Sequence, residues 1–321
     1  MTSFAVSAQH LARSFGDTRA LVDVSLDVPA GSVCALLGRN GAGKTTTVRI
    51  LTTLLDADGG HAQVAGFDIA TQADKVRGRI GVTGQTATMD ELLTGHENLE
   101  IIGRFSHLGA AVSRRRADEL LRQFDLVAAG DQLVKKYSGG MRRRLDLAAS
   151  LIANPEVLFL DEPTTGLDPV ARSEMWAAIR NLVARGTTVL LTTQYLDEAD
   201  QLADTIVVVD RGLVVAEGTP EQLKASIGRP SVVVTLVDAD PIALEKVRVA
   251  LGADAAIRGR SVTVPASEGL VSLGEVVTLL ERLAVPVHEV GLEHPSLDEV
   301  FSTVTHRPGE HVTGEVAKMP A

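Results

Sequence analysis

The sequence has little of several residue types on which other protein classes depend. Its 321 residues include one cysteine, one tryptophan and two tyrosines. A single cysteine cannot form a disulfide within the chain, so a small fold held together by disulfides is excluded and a reducing compartment is expected. Cys34 lies in an apolar run, which predicts a residue of the hydrophobic core rather than a redox centre.

Long apolar runs and an excess of basic residues are also missing. No stretch approaches the ~20 consecutive apolar residues that a membrane helix needs, and the N-terminus lacks the basic-then-apolar order of a secretory signal. Any membrane role is therefore expected to depend on a partner chain. The formal net charge of −10 argues against nucleic acid as a primary partner. The length suffices for one large domain and one small domain.

What the chain does contain is a phosphate-binding loop between a strand and a helix. Residues 38–45 match G-x-x-x-x-G-K-[ST] at every fixed position, after the apolar run Ser32–Leu37. Backbone N–H groups of such a loop face phosphate oxygens, Lys44 adds a positive charge, and the Thr45 hydroxyl can bind Mg²⁺. The chain is therefore predicted to bind a nucleoside triphosphate. The expected contact residues are Gly38, Arg39, Asn40, Gly41, Ala42, Gly43, Lys44, Thr45 and Thr46.

Two adjacent carboxylates follow a second buried strand, Glu156–Asp161. Ligands of open α/β sheets gather at the carboxyl ends of the strands, so Asp161 and Glu162 are expected to face the phosphates. Asp161 would hold Mg²⁺ or its waters, and Glu162 would polarise the water that attacks the γ phosphate. On its own, the segment is equally typical of a strand that ends in a solvated acidic turn.

A third segment narrows the class of protein. The sequence Tyr-Ser-Gly-Gly-Met-Arg at residues 137–142 precedes the carboxylate strand, and a helical segment follows it. Here the chain resembles the ATP-binding subunits of ABC transporters, whose signature reads L-S-G-G-Q, and the resemblance covers about residues 4–225. It implies that Phe15 stacks on adenine and that Gln85 contacts Mg²⁺ and senses the membrane partner. It also implies that the loop Thr164–Pro169 crosses a dimer interface, where Asp168 would contact nucleotide.

The resemblance carries further expectations for fold and assembly. In the family, two subunits close head to tail over two ATP molecules, and each signature meets the ATP held by the other subunit. Ser138, Gly139 and Gly140 would thus be nucleotide contacts, ATP and Mg²⁺ the cofactors, and a homodimer the assembly. The implied fold is an α/β P-loop NTPase domain of ABC type over residues 1–225. Its helical subdomain, about 88–150, would dock on a separately encoded integral-membrane permease, at the cytoplasmic face of the cell membrane.

Three positions depart from the family pattern. Arg39 stands where proline is common, Met141 replaces the glutamine of the signature, and Gln194 replaces a histidine beside the γ phosphate. Glutamine can donate a hydrogen bond to that phosphate but cannot take up a proton near neutral pH. Gln194 is therefore grouped with Glu162 and Lys44 as a catalytic residue. The segment Thr192–Asp200 and the signature are similar to the branch of daunorubicin-resistance ATP-binding proteins, which implies export of a hydrophobic drug, antibiotic or lipid.

The remainder of the chain predicts a second domain, 226–305. The pattern indicates strands and helices in the order β-α-β-β-α-β, typical of a ferredoxin-like α+β unit. The predicted elements are strands Ser231–Leu236, Ala255–Arg258, Ser261–Val264 and Pro286–Val290, and helices Pro241–Leu251 and Gly269–Leu283. Ser296 and Glu299 predict a capped helix after them. This helix would either pack on the protein or act as a regulatory latch over the dimer, and 306–321 is predicted to be a disordered tail.

Two alternatives stay open at this point. The arginine runs 114–116 and 142–144 are expected to be solvated helix faces, although contact with a permease or with anionic lipid is the other interpretation. The rival function is that of a soluble ABC-type ATPase that remodels ribosomes or DNA-repair complexes. Such factors fuse two ATPase modules or carry coiled coils or zinc sites, whereas this chain has one phosphate loop, no sustained heptads and no cysteine cluster.

Overall fold

The computed structural model describes residues 4–84, 89–228, 230–266, 273–293 and 295–306. Within them the chain divides into two compact units, one ending at Pro220 and the other spanning Glu221–His306. The boundary expected from the sequence, 225/226, falls inside the helix Pro220–Ile227. His306 is the last residue of a helix, and the rest of the expected tail lies outside the described residues.

The first unit alternates strands and helices. Its strands are β1 Phe4–Phe15, β2 Thr18–Pro29, β3 Val33–Leu37, β4 Gly59–Val64, β5 Phe67–Asp68, β6 Ile80–Thr83, β7 Val157–Asp161, β8 Thr188–Thr193, β9 Thr205–Asp210 and β10 Leu213–Gly218. Its helices are α1 Lys44–Leu51, α2 Ala73–Arg77, α3 Gly95–Phe105, α4 Ala110–Gln123, α5 Gly139–Ser150, α6 Pro169–Val183 and α7 Leu196–Leu202, and α8 Pro220–Ile227 leads into the second unit.

One mixed sheet organises this unit, in the order β5-β4-β1-β2-β10-β9-β3-β8-β7-β6. The neighbours from β9 through β3, β8 and β7 to β6 are parallel, whereas β1, β2, β4 and β5 pair in antiparallel fashion. Every residue of β3, β7 and β8 is buried, as expected for parallel strands covered on both faces. The carboxyl ends of these strands lie at one edge, where the phosphate loop and the carboxylates follow.

A core cluster of the first unit joins both the antiparallel and the parallel strands to α1. Val6 and Leu26 of β1 and β2 contribute to it from the sheet, and Val48 and Ile50 contribute from α1. Cys34 belongs to the same cluster and is fully buried, which confirms the prediction of a core residue. Burial raises the pKa of its thiol to about 12, so the reactive thiolate is disfavoured.

Between β6 and β7 the chain forms the helical region expected for the subdomain. Helix α3 begins with a capping box, in which the Thr94 hydroxyl accepts from the Glu97 N–H and the Glu97 carboxylate accepts from the Thr94 N–H. Helix α5 approaches β6 closely at Gly81, where an added Cβ would lie 2.2 Å from the carbonyl oxygen of Ser150. None of the helices in the described ranges has the length and apolarity needed to cross a membrane.

The second unit confirms the predicted order of elements. It consists of β11 Ser231–Leu236, α9 Pro241–Leu251, β12 Ala256–Arg258, β13 Ser261–Pro265, α10 Leu273–Leu283, β14 Val287–Glu293 and α11 Leu297–His306. The antiparallel sheet has the order β12-β13-β11-β14, that of a ferredoxin-like unit. Val232 and Val234 point to one face of the sheet, where Val247 of α9 and Val276 of α10 complete the core. The expected residues 269–272 of α10 lie outside the described ranges.

Candidate active site

The phosphate loop connects β3 to α1 and holds its lysine in the protein interior. Lys44 is 4% exposed, and its Nζ donates to the carbonyl oxygens of Gly38 at 2.8 Å and Arg39 at 3.2 Å. Gly43 has a φ of 114°, and an added Cβ would lie 2.6 Å from Leu21 Cδ2. Only glycine fits this position, because both the conformation and the space exclude a side chain.

Oxygen atoms from the start of α1 and from the ends of β7 and β8 converge beside this loop. The Thr45 hydroxyl lies 3.3 Å from Asp161 Oδ1, and the Thr192 hydroxyl donates to the same oxygen at 2.5 Å. Asp161 is 5% exposed, and it pairs in register with Thr192 of the neighbouring strand β8. Sequence reasoning anticipated Thr45 and Asp161 but missed Thr192, whose contact depends on the register of the sheet.

Glu162 follows Asp161 in a strained backbone conformation. Its φ is 50°, uncommon for a residue with a side chain, and its N–H donates to the carbonyl oxygen and the hydroxyl of Thr192 at 3.1 and 3.0 Å. Glu162 Oε1 lies 3.6 Å from Lys44 Nζ. Burial lowers the pKa of Lys44, while the neighbouring Glu162 carboxylate opposes that shift. Lys44, the predicted phosphate-binding cation, and Glu162, the predicted general base, thus lie side by side.

The signature residues form the exposed start of α5. Ser138 is the N-cap, and its Oγ accepts a hydrogen bond from the Met141 N–H at 3.2 Å. Gly140 packs against α6, since an added Cβ would lie 3.2 Å from Ala171 Cβ. Asp168 is in turn the N-cap of α6, and its Oδ1 accepts from the N–H groups of Val170 and Ala171 at 3.0 and 2.9 Å.

The expectation that Arg142–Arg144 form a solvated helix face is wrong. The side chains of Arg142 and Arg144 are 34% and 21% exposed, and Arg143 is also half-buried. Arg143 donates to backbone carbonyl oxygens of Asp161–Pro163, here called the carboxylate turn, and to that of Gly84. A run of charges indicates solvation only when no acceptor lies within reach, and here the fold brings carbonyl groups to the guanidinium. In the other run, Arg114 and Arg115 are exposed as expected, whereas Arg116 is half-buried and donates to the Leu151 carbonyl oxygen.

The remaining predicted residues lie around this centre at different depths. Phe15 ends β1 and is 48% exposed, with the guanidinium carbon of Arg13 5.2 Å from its ring centroid. Arg39 and Asn40 are exposed on the phosphate loop. Gln194 is exposed and directly follows β8, the strand next to β7 in the sheet. The role expected for Gln85 falls on a residue outside the described ranges.

A buried carboxylate near Gln194 was not anticipated from the sequence. Glu198 of α7 is fully buried, and its Oε1 accepts from the indole N–H of Trp176 in α6 at 3.2 Å. Burial raises the pKa of Glu198, against the effect of its hydrogen bonds and of Arg172. Arg172 also stacks on Tyr195, 4.9 Å from the ring centroid. These contacts join α6, which follows the Asp168 loop, to α7, which follows Gln194.

The fold and this constellation define an ATP-hydrolysing nucleotide-binding subunit. The family model for ABC transporters matches residues 21–165, which include the phosphate loop and the carboxylate turn. The chain belongs to the ABC transporter family, as one of its ATP-binding subunits. The chain is 52% identical over 321 residues to the daunorubicin resistance ATP-binding protein DrrA2 of Streptomyces coeruleorubidus, covering 99% of this chain and 100% of that relative.

Other relatives and solved structures agree with this assignment. A daunorubicin/doxorubicin resistance ATP-binding protein of Streptomyces peucetius is 48% identical, over 98% of this chain and 96% of its own length. The Nod factor export ATP-binding protein I of Ralstonia nicotianae is 44% identical over 68% of each chain. A solved ATP-binding subunit of an ABC transporter is 28% identical, with a TM-score of 0.63 over 70% of this chain and 93% of its own. CbiO1 of Clostridium perfringens is 26% identical, with a TM-score of 0.65, over 70% of this chain and 92% of its own.

Proposed function

We propose that this chain is the motor subunit of an exporter for a hydrophobic drug, antibiotic or lipid. The observation that carries the proposal is the convergence of Lys44, Thr45, Asp161 and Glu162 at one edge of the sheet. Relatives named for daunorubicin resistance and for Nod factor export support the direction of transport and the hydrophobic cargo. The motor acts at the cytoplasmic face of the membrane, through a separate permease.

The chemistry follows from the positions of these side chains. Lys44 neutralises charge on the β and γ phosphates. Glu162 accepts a hydrogen bond from a water molecule and polarises that water for in-line attack on the γ phosphate. Gln194 donates an amide hydrogen bond to that phosphate without a proton transfer of its own. The strained φ of Glu162 is consistent with a residue held for function rather than for stability.

The donor set fits Mg²⁺. The Thr45 hydroxyl and the Asp161 carboxylate lie 3.3 Å apart, and both are hard oxygen ligands of the kind that Mg²⁺ prefers. Thr45 and Asp161, with Gln85, would hold the ion, whose charge offsets that of the phosphates when it is bound. The protein supplies only part of a coordination shell, and Mg²⁺ commonly completes it with waters and phosphate oxygens.

A homodimer accounts for the second anion site on the chain. The start of α5 exposes Ser138 and Gly139 to solvent, with Gly140 half-buried beside them, and backbone N–H groups and the helix dipole favour an anion there. In a head-to-tail pair, this site of one subunit meets the ATP held by the phosphate loop of the other. Closure is then favoured by ATP and lost after hydrolysis, because only the γ phosphate bridges the two halves.

The test combines partner identification with a resistance assay. Cells that express the tagged chain are cross-linked, their membranes are solubilised in mild detergent, and co-purifying proteins are identified by mass spectrometry against untagged cells. We expect a polytopic membrane protein as the dominant partner. In a deletion strain, the wild-type chain should restore tolerance of a hydrophobic antibiotic such as an anthracycline, whereas Glu162→Gln should not. Ribosomal or DNA-repair proteins as dominant partners would instead establish the soluble remodelling factor.

A further inference from the structure

The guanidinium of Arg143 gathers four backbone carbonyl oxygens from two separate parts of the chain. Its Nε donates to Pro163 at 2.7 Å, and its Nη2 donates to Asp161 at 3.2 Å and Glu162 at 2.8 Å. Its Nη1 donates to the carbonyl oxygen of Gly84 at 2.9 Å. Gly84 directly follows β6 and precedes Gln85. One side chain of the signature helix therefore connects the carboxylate turn to the end of the neighbouring strand.

This arrangement needs an arginine. Four carbonyl dipoles that point to one place repel each other unless a cation lies between them, and three nitrogens of a planar guanidinium can serve all four oxygens at once. A lysine ammonium would keep the charge but could not reproduce the fork. Burial lowers the pKa of Arg143, and the negative charges of Asp146 and Asp161 oppose that shift. An arginine guanidinium keeps its proton in proteins, so this side chain only donates hydrogen bonds.

We propose that Arg143 is a positioning residue that couples the signature helix to the catalytic carboxylate of the same subunit. Glu162 follows the last residue of β7 with a φ of 50°, and the hydrogen bonds from Arg143 to Asp161, Glu162 and Pro163 hold this turn from the side of α5. A shift of α5 when its N-terminus meets nucleotide on the partner subunit thus moves the turn that carries Glu162. The inference rests on the proposed roles of Glu162 and of the signature.

The adjacent arginine provides a matched control. Arg142 also lies in the first turns of α5 and is half-buried, but its guanidinium donates to the Lys135 carbonyl oxygen at 3.0 Å and pairs with Glu91 at 3.0 Å. Lys135 precedes the signature and Glu91 precedes α3, so neither of these two contacts is with the turn that carries Glu162. Arg142→Ala therefore removes the same chemical group from the same helix without releasing Glu162.

The first measurement separates turnover from ATP binding in the purified full-length chain. We expect Arg143→Ala to lower kcat about 10- to 100-fold, the loss typical of a misplaced catalytic group, with the Kd for ATP changed less than threefold. Arg143→Lys should show most of the same loss, and it also serves as the test if the alanine variant fails to fold. Arg142→Ala should retain kcat within about threefold. Equal effects of Arg142→Ala and Arg143→Ala on kcat would overturn the proposal.

The second measurement is a double-mutant cycle with Glu162→Gln, followed by single-turnover hydrolysis of radiolabelled ATP. If Arg143 acts through Glu162, adding Arg143→Ala to Glu162→Gln should lower the residual rate less than twofold. Losses that multiply would show that Arg143 affects hydrolysis independently of Glu162, which contradicts the proposal. Normal turnover of Glu162→Gln alone would instead remove Glu162 from the proposed chemistry. The two failures are thus distinguishable.

Discussion

Lys44 Nζ and Glu162 Oε1 lie 3.6 Å apart, yet substitution of the two residues should affect ATP binding and turnover differently. Glu162→Gln keeps the size of the side chain but removes the base, so we expect intact ATP binding and a kcat lower by about 10²–10⁴-fold. Lys44→Ala should weaken ATP binding itself, because it removes the charge that faces the phosphates. Nucleotide titration and steady-state hydrolysis on the same preparations separate the two effects. Near-normal turnover of Glu162→Gln would remove it from the role of base.

Glu198 should make the stability of the protein depend on pH. Burial raises the pKa of its carboxyl, so the folded state favours the neutral form. The associated stability is fully present below the pKa of the unfolded chain and is lost as pH rises through the folded pKa. Glu198→Gln retains an acceptor for the Trp176 N–H without the charge. We therefore expect its Tm relative to wild type to increase as the pH is raised from about 4.5 to 8.

The control for this measurement is Asp197→Asn, which removes a carboxylate from an exposed position of the same helix. This control distinguishes the effect of burying the Glu198 carboxyl on Tm from the effect of removing any negative charge from α7. A difference in Tm between Glu198→Gln and wild type that stays constant over the whole pH range would contradict the prediction. Thermal melts followed by circular dichroism in a series of buffers at equal ionic strength provide the data.

At the residue scale, the sequence predicted what is local and missed what depends on pairing between distant segments. Lys44 and Thr45 were identified because their loop has a fixed spacing, and Asp161 because it ends an apolar run. Thr192 lies 31 residues from Asp161 and meets it only through the register of β7 and β8. Arg143 was misassigned for the same reason, since its acceptors are main-chain groups that no side-chain pattern reveals. The structure shows where these side chains lie. The roles assigned to Lys44, Thr45, Asp161, Glu162, Phe15, Gln194 and the signature in nucleotide binding and hydrolysis stay predictions.

At the scale of elements, the contact between α5 and β6 depends on the absence of a side chain at Gly81. An added Cβ would lie 2.2 Å from the Ser150 carbonyl oxygen, which belongs to the helix backbone and cannot rotate away. We expect Gly81→Ala to lower the free energy of unfolding by about 1–3 kcal/mol, as for other overpacked sites. Gly78→Ala is the control, because its nearest neighbours would lie at 3.6 Å and its φ is −74°. Urea denaturation of both variants with similar losses would contradict the packing argument.

The elements of the second unit were easier to predict than those at the beginning of the chain. In β11 the residues alternate between buried and half-buried positions, so the period-two pattern is visible and the predicted bounds match the structure. In β1 the pairing with β2 shifts register between Ala8 and Leu11 and again before Ser14. Such irregularities interrupt the alternation of inward and outward residues, so the period-two pattern is weaker in β1 than in β11.

At the scale of the whole molecule, removal of α11 tests whether this C-terminal helix only packs on the protein or acts as a regulatory latch. Leu297 and Val300 are buried, and Ser296 and Glu299 form the predicted capping box, so the helix is fully formed within the single chain. We expect packing rather than a latch. Removing residues 294–321 should therefore lower the Tm while leaving kcat per subunit within about twofold, whereas removing only 307–321 should change neither. A several-fold change in kcat at unchanged ATP affinity would establish a regulatory latch.

Trp176 is the only tryptophan of the chain, and its indole N–H binds Glu198 across α6 and α7. Tryptophan fluorescence from the protein therefore originates at one point, between the helix that follows the Asp168 loop and the helix that follows Gln194. Any rearrangement of these helices changes the surroundings of this indole and hence its emission. The unmodified protein thus contains its own optical probe, with which stopped-flow experiments can time the steps of the nucleotide cycle.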